Sequence, residues 1–214
     1  MTAALTATAL VSGEPGPAEL WLLREISSVC VLRAARIGGP PEPHSAGLGP
    51  AERELLDELF DAVELRGWWA AAAVAAPLGT TADVVVRLSG HAPPEAASWA
   101  ELAALDVRHG PIALGLAEGR REWIRSTVSM LGGGPALWRG APQLAPGDTR
   151  ADVLFRAHVE AARALAGLLR RYAAGETPEP RAAEREAPDP GWLDRLGAGR
   201  PSADRLLLER GLEC

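Results

Sequence analysis

Residues 150–174, RADVLFRAHVEAARALAGLLRRYAA, carry the clearest structural signal in the chain. Leu154, His158, Ala161, Leu165, Leu168 and Tyr172 recur at steps of four and three, along one face of a helix, while Arg156, Glu160, Arg163 and Arg170 fall elsewhere. Thr149 and Asp152 have the spacing of a capping box at its start. One long amphipathic helix is expected here, packed on the rest of the chain.

Working back toward the N-terminus, Leu116, Trp123, Ile124 and Thr127 repeat at helical spacing up to Leu131. Gly132-Gly133-Gly134-Pro135 then reads as a helix end. Ser98 with Glu101 matches a second capping box, ahead of Leu102 and Leu105, and His109-Gly110-Pro111 breaks that segment. Pro50 opens a further helix with Glu52 and Glu54 in its first turn, an apolar face of Leu55, Leu56, Leu59, Phe60 and Val63, and an end at Gly67. Pro17 starts a segment toward Ile37. Its first half, with Leu20, Trp21, Leu23 and Ile26, reads as helix; its second half, with Val29, Val31 and Arg33, suits helix or strand. Val84-Val85-Val86 with Leu88 is the best strand, because consecutive β-branched residues crowd a helix and suit an extended chain. Trp68–Ala76 is compatible with either form; if extended, it pairs with that strand in an antiparallel hairpin across Pro77-Leu78-Gly79. The expected fold is mostly α (α+β), a helix-dominated single domain with a small antiparallel β element and an extended C-terminal tail. The divisions are a flexible N-terminus (1–17), a globular domain (18–174), a Pro-rich linker (175–190) and a C-terminal docking segment (191–214).

The chain of 214 residues has a net charge of -6 and 47% hydrophobic residues, enough for a real core. Seven tryptophans, against two phenylalanines and one tyrosine, are expected to supply much of the packing bulk among many alanines. The acidic balance argues against a nucleic-acid surface, and Arg120, Arg121 and Arg125 read as a solvated helix face. Lysine and asparagine are absent, which excludes Schiff-base chemistry, a Walker-type lysine and N-glycosylation. Cys30 and Cys214 form no disulfide framework, so a reducing compartment is expected. No basic residue precedes Arg24, so the start lacks the charged region of a signal peptide, and no apolar run approaches 18 residues. These features point to a cytoplasmic protein without a membrane span.

Among chemistry-bearing residues, His158 stands out in the middle of an otherwise apolar helical face, where it is either a core histidine with one hydrogen bond or a group facing a cavity. His91 and His109 sit in or beside expected loops, with Asp106 three residues before His109. These three histidines are the candidate catalytic residues. Cys30 lies between two valines and reads as a buried, inert thiol. No metal-ligand spacing occurs, and neither a metal nor a cofactor is expected. Past the linker, Trp192, Leu193, Leu196, Leu206 and Leu207 form an apolar tail suited to helix-in-groove docking. Together these readings lead to an accessory, non-catalytic protein-interaction protein whose tail docks on a protein partner or in a homo-oligomer. The alternative is a small His-dependent enzyme or ligand-binding domain, which requires histidines to converge with a carboxylate.

Overall fold

The computed structural model describes residues 4–38, 48–72, 74–110, 112, 115–116, 124–145 and 147–180. Its centre is a six-stranded mixed sheet in the order β2-β1-β3-β4-β5-β6. Thr6–Ser12 (β1) is flanked on both sides by parallel neighbours, Val31–Ile37 (β2) and Ala82–Arg87 (β3). Ala100–His109 (β4) continues the parallel set, and Ser126–Met130 (β5) and Ala136–Gly140 (β6) add two antiparallel strands. The helices are Pro17–Ser27 (α1), Pro50–Leu59 (α2), Ala62–Ala72 (α3) and Arg150–Ala173 (α4). A 3₁₀ helix, Pro94–Trp99, joins β3 to β4.

This α/β architecture replaces the helix-dominated fold with a small antiparallel element. Residues 1–17, read as flexible, contain β1, a buried strand inside the sheet. Gly67 does not end a helix: α3 runs through it to Ala72, so of the two forms open to Trp68–Ala76 the first five residues take the helical one, and the hairpin with β3 does not form. Val84–Val86 is a strand, but its neighbours are parallel. The capping box at Ser98 and Glu101 does not form. Ser98 Oγ donates instead to Glu95 O, closing the 3₁₀ turn, and β4 follows. Thr127–Met130 is strand too, and Gly132 and Gly133, both at positive φ (81° and 83°), make the β5–β6 turn. That conformation suits glycine. The helix at 150–173 forms as read, with Thr149 Oγ1 and the Asp152 carboxylate exchanging hydrogen bonds with each other's backbone N–H.

Two identical tetrapeptides start α1 and α2. In Gly16-Pro17-Ala18-Glu19 and Gly49-Pro50-Ala51-Glu52, glycine is the N-cap, proline the first helical residue, and glutamate accepts the cap N–H at 2.8 and 3.0 Å. The main core lies on one face of the sheet, where Leu23, Ile26, Leu56, Phe60, Leu65, Leu154 and Leu165 of the helical layer meet Ala9, Val84, Val86, Leu105 and Val128. A smaller cluster on the other face gathers Leu10, Ala35, Ile37 and Val85 under Ala96 of the 3₁₀ helix. The tryptophans are not the interior bulk. Among the described residues the largest fully buried side chains are Phe60 and aliphatic groups, and Trp21, Trp68, Trp69 and Trp138 are only partly buried against that core. Of the linker, residues 175–180 are described and carry no helix or strand. Trp192, Leu193, Leu196, Leu206 and Leu207 lie outside the described residues. No helix among the described residues is long and apolar enough to cross a membrane.

Candidate functional site

Parallel strands end together, so their carboxyl edge collects the residues that follow β1, β3 and β4. The chain leaves β1 through α1 to β2 on one side, then returns to β3 on the other side of β1. The β1/β3 boundary is therefore the point where strand order reverses, the place where open α/β sheets form their binding crevice. Ser12 and Gly13 end β1; Ser89, Gly90 and His91 follow β3; His109 ends β4.

The edge is tightly joined. Ser12 N–H donates to Ser89 Oγ at 3.0 Å. Gly90 has φ +73°, and a Cβ there would lie 2.7 Å from Ser12 Cβ and 3.0 Å from Gly38 O, so only glycine fits. Arg87 anchors the same turn: its guanidinium donates to Gly90 O at 2.5 Å and to Asp106 Oδ1 on β4 at 2.6–2.7 Å. Arg108 Nε donates to Asp106 Oδ2 at 2.5 Å.

Two of the three candidate histidines meet. The rings of His109 and His158 stack with centroids 3.9 Å apart and an interplanar angle of 24°. His158 is fully buried, and its Nδ1–H donates to Leu154 O at 2.8 Å. A carbonyl only accepts, so this bond places the proton on Nδ1. Burial drives the His158 pKa down to about 4, against a small raising contribution from the Leu154 bond. His158 is thus neutral at pH 7. His109 is half-buried, and its Nδ1 and Ser126 Oγ are hydrogen-bonded at 2.7 Å, the direction following the tautomer. Phe60, Phe155 and Trp21 continue the stack as edge-to-face and tilted aromatic contacts.

His91 is exposed, its backbone N–H bonded to Gly38 O. No ring contact joins it to the pair among the described residues. Asp106 does not join His109 either, because residues an odd number apart on a strand point to opposite faces. It is the buried partner of Arg87 and Arg108 instead. Cys30 is buried, its Sγ–H donating to Ile26 O at 3.2 Å, and burial pushes its pKa up to about 11. Among the described residues, no three His, Cys, Asp or Glu side chains gather as a metal site.

Sequence reading missed Ser126 and Glu19. Ser126 was placed inside an expected helix, and no local signal marks it. Glu19 had a signal, the Gly-Pro-Ala-Glu tetrapeptide repeated at Glu52. The two glutamates share a local design and differ in environment. Glu52 is fully buried and receives a two-point ion pair from Arg150, at 2.9 and 2.5 Å. Glu19, 3% exposed, bonds through Oε2 to Gly16 N–H, and its carboxyl is also hydrogen-bonded to the Ser89 side chain. Its Oε1 has no hydrogen-bond partner among the described residues. Burial raises the pKa of Glu19, against the lowering by Ser89 and Gly16.

No protein-family model matches the chain, and no curated protein sequence matches it. Among solved structures, it is similar to a 4-N formyltransferase from Francisella tularensis, with TM-score 0.51 and 6% identity over 83% of this chain and 74% of that one. Weaker likenesses are a sugar N-formyltransferase from a Shewanella species (TM-score 0.47, 11% identity, 86% and 75% covered) and a formyltetrahydrofolate deformylase from Pseudomonas putida (TM-score 0.46, 13% identity, 82% and 67% covered). The non-catalytic accessory reading rested on the linker-and-tail arrangement and the absence of a recognisable catalytic motif, and it does not stand: the α/β fold is similar to that of a 4-N formyltransferase.

Proposed function

We propose that the chain is a small histidine-dependent enzyme that transfers a formyl group to or from nitrogen, with His109 as its general base. One observation carries the reading: an imidazole at the carboxyl edge of the parallel strands, stacked on a second, neutral imidazole and hydrogen-bonded to Ser126. The fold it shares with a 4-N formyltransferase suggests the group transferred. The residues suggest the acid–base work.

When an amine attacks a formyl carbonyl, the nitrogen becomes cationic and must lose a proton while the leaving nitrogen gains one. A neutral His109 takes the first proton and returns it to the leaving group. Its neighbour must stay uncharged meanwhile. Two positive charges 3.9 Å apart repel by about 4 kcal/mol at an effective dielectric near 20, enough to prevent protonation of the base. Burial of His158 avoids that, and the Leu154 carbonyl pins its ring as a flat backing for His109.

Loss of the formyl group from formyltetrahydrofolate, followed by absorbance with and without amine acceptors, tests the reading. Wild-type protein should turn the donor over, and His109→Gln should slow it by about 10²- to 10⁴-fold at unchanged melting temperature. Equal rates for the two proteins, or no turnover by the wild type, would refute it.

A further inference from the structure

We infer that the carboxyl edge at the β1/β3 switch point, where the buried Glu19 carboxyl meets Ser89, is a subsite for a guanidinium or ammonium group of a ligand, and that it disfavours phosphate.

The argument starts from the repeated tetrapeptide. Both copies place a buried glutamate three residues after a glycine cap. A buried carboxyl oxygen left without a donor is costly, and in folded proteins such atoms are nearly always satisfied by protein, water or ligand. At Glu52 the chain satisfies the group itself with the Arg150 fork. At Glu19 no arginine or histidine is bonded to the carboxyl among the described residues, and Oε1 is left over. The position of this second copy is not arbitrary. It lies beside Ser12 and Ser89, at the strand-order reversal where α/β sheets bind ligands. A ligand cation there would do for Glu19 what Arg150 does for Glu52.

The same loop is unsuited to an anion. Phosphate sites at this position rely on free backbone N–H groups and the positive end of the helix. Here Pro15 and Pro17 have no N–H, the Gly16 N–H is taken by Glu19, and the carboxyl adds negative charge. Neighbouring strands are about 4.8 Å apart, and β3 separates β1 from β4, so the subsite lies on the order of 10 Å from His109. Under the proposed activity, which this step takes for granted, the cation is an end of the acceptor remote from the reacting nitrogen.

Agmatine, which carries both a guanidinium and an ammonium group, is the probe, titrated calorimetrically into the full chain with no formyl donor present. Inorganic phosphate is the comparison. Glu19→Gln keeps the capping oxygen and side-chain shape, so the fold should survive, as a thermal melt will verify. Wild type should bind agmatine and ignore phosphate, and Glu19→Gln should weaken agmatine binding by about 10- to 100-fold, the range for hydrogen bonds to charged groups. Phosphate binding in preference to agmatine, no agmatine binding by the wild type, or equal affinity of the two proteins would overturn the inference. Donor turnover does not enter this measurement, so failure at His109 and failure at Glu19 are read separately.

Discussion

Lowering the pH from 7.5 to 4.5 sets the unfolded chain against the folded one at a single imidazole. Unfolded, His158 titrates near its ordinary value of 6.5; folded, burial pushes it down to about 4. Between those values the unfolded state binds the extra proton, so stability rises with pH through the window and is lost on acidification. The full difference, about 2.5 pH units at 1.36 kcal/mol each, is about 3.4 kcal/mol. At pH 4.5 roughly 2.5 kcal/mol of it has been lost, and below pH 4 both states are protonated and the loss stops. Because the side chain is fully buried, solvent screening does not reduce the figure.

Urea unfolding of wild type and His158→Phe at the two pH values measures this directly. Phenylalanine keeps an aromatic ring against His109 and Phe60 but cannot titrate. Any packing change it causes shifts stability equally at both pH values and cancels from the comparison. Carboxylates and the other histidines titrate in both proteins and cancel as well. The wild type should lose about 2.5 kcal/mol more than the variant between pH 7.5 and 4.5. A difference under about 0.5 kcal/mol would show that His158 charges without unfolding the chain. The neutral backing proposed for His109 would then be wrong.

Arg150→Ala should cost about 3–5 kcal/mol by leaving Glu52 buried without its partner, and Arg150→Ala with Glu52→Gln should recover part of that in a chemical denaturation series. Thr149→Ala removes the cap of α4 and should cost about 1 kcal/mol in the same assay. Cys30 should resist a thiol reagent at pH 8 in the folded protein and react on unfolding, as mapped by mass spectrometry of the labelled peptides.

How much of the fold was legible depends on where the chain contradicts its own local preferences. The amphipathic period of 150–173 and the capping box at Thr149 act within one segment, and the helix forms where they place it. Ala100–His109 does the opposite. Its sequence AELAALDVRH is rich in helix formers, yet it is a strand, because β3 on one side and β5 on the other offer it two ladders of backbone hydrogen bonds. Parallel strands buried on both faces lack the alternation that marks a half-exposed strand. The run TATALVS in β1 is small and unpatterned for that reason, and it read as loose chain. Four separate strand–strand registers decide these segments, and a single sequence does not display them.

The site followed the same division. His158 was identifiable because its helical face was identifiable, and its burial agrees with that face. Its partner was not, because stacking His109 on His158 requires β4 and α4 to cross, 49 positions apart, with His109 at the strand end. The carboxylate expected beside the histidines is the instructive miss. Asp106 sat nearest in sequence, and strand geometry turned it to the far face. Glu19, 90 positions before His109, lies at the carboxyl edge of β1 and β3, hydrogen-bonded to Ser89, and only Gly-Pro-Ala-Glu hints at it. One copy of that tetrapeptide has its glutamate paired with an internal arginine and the other has a buried oxygen without a donor among the described residues, so the same four residues make a structural brace at Glu52 and an unbraced carboxyl at Glu19. The motif starts the helix. What faces its glutamate decides whether the carboxyl is braced within the fold.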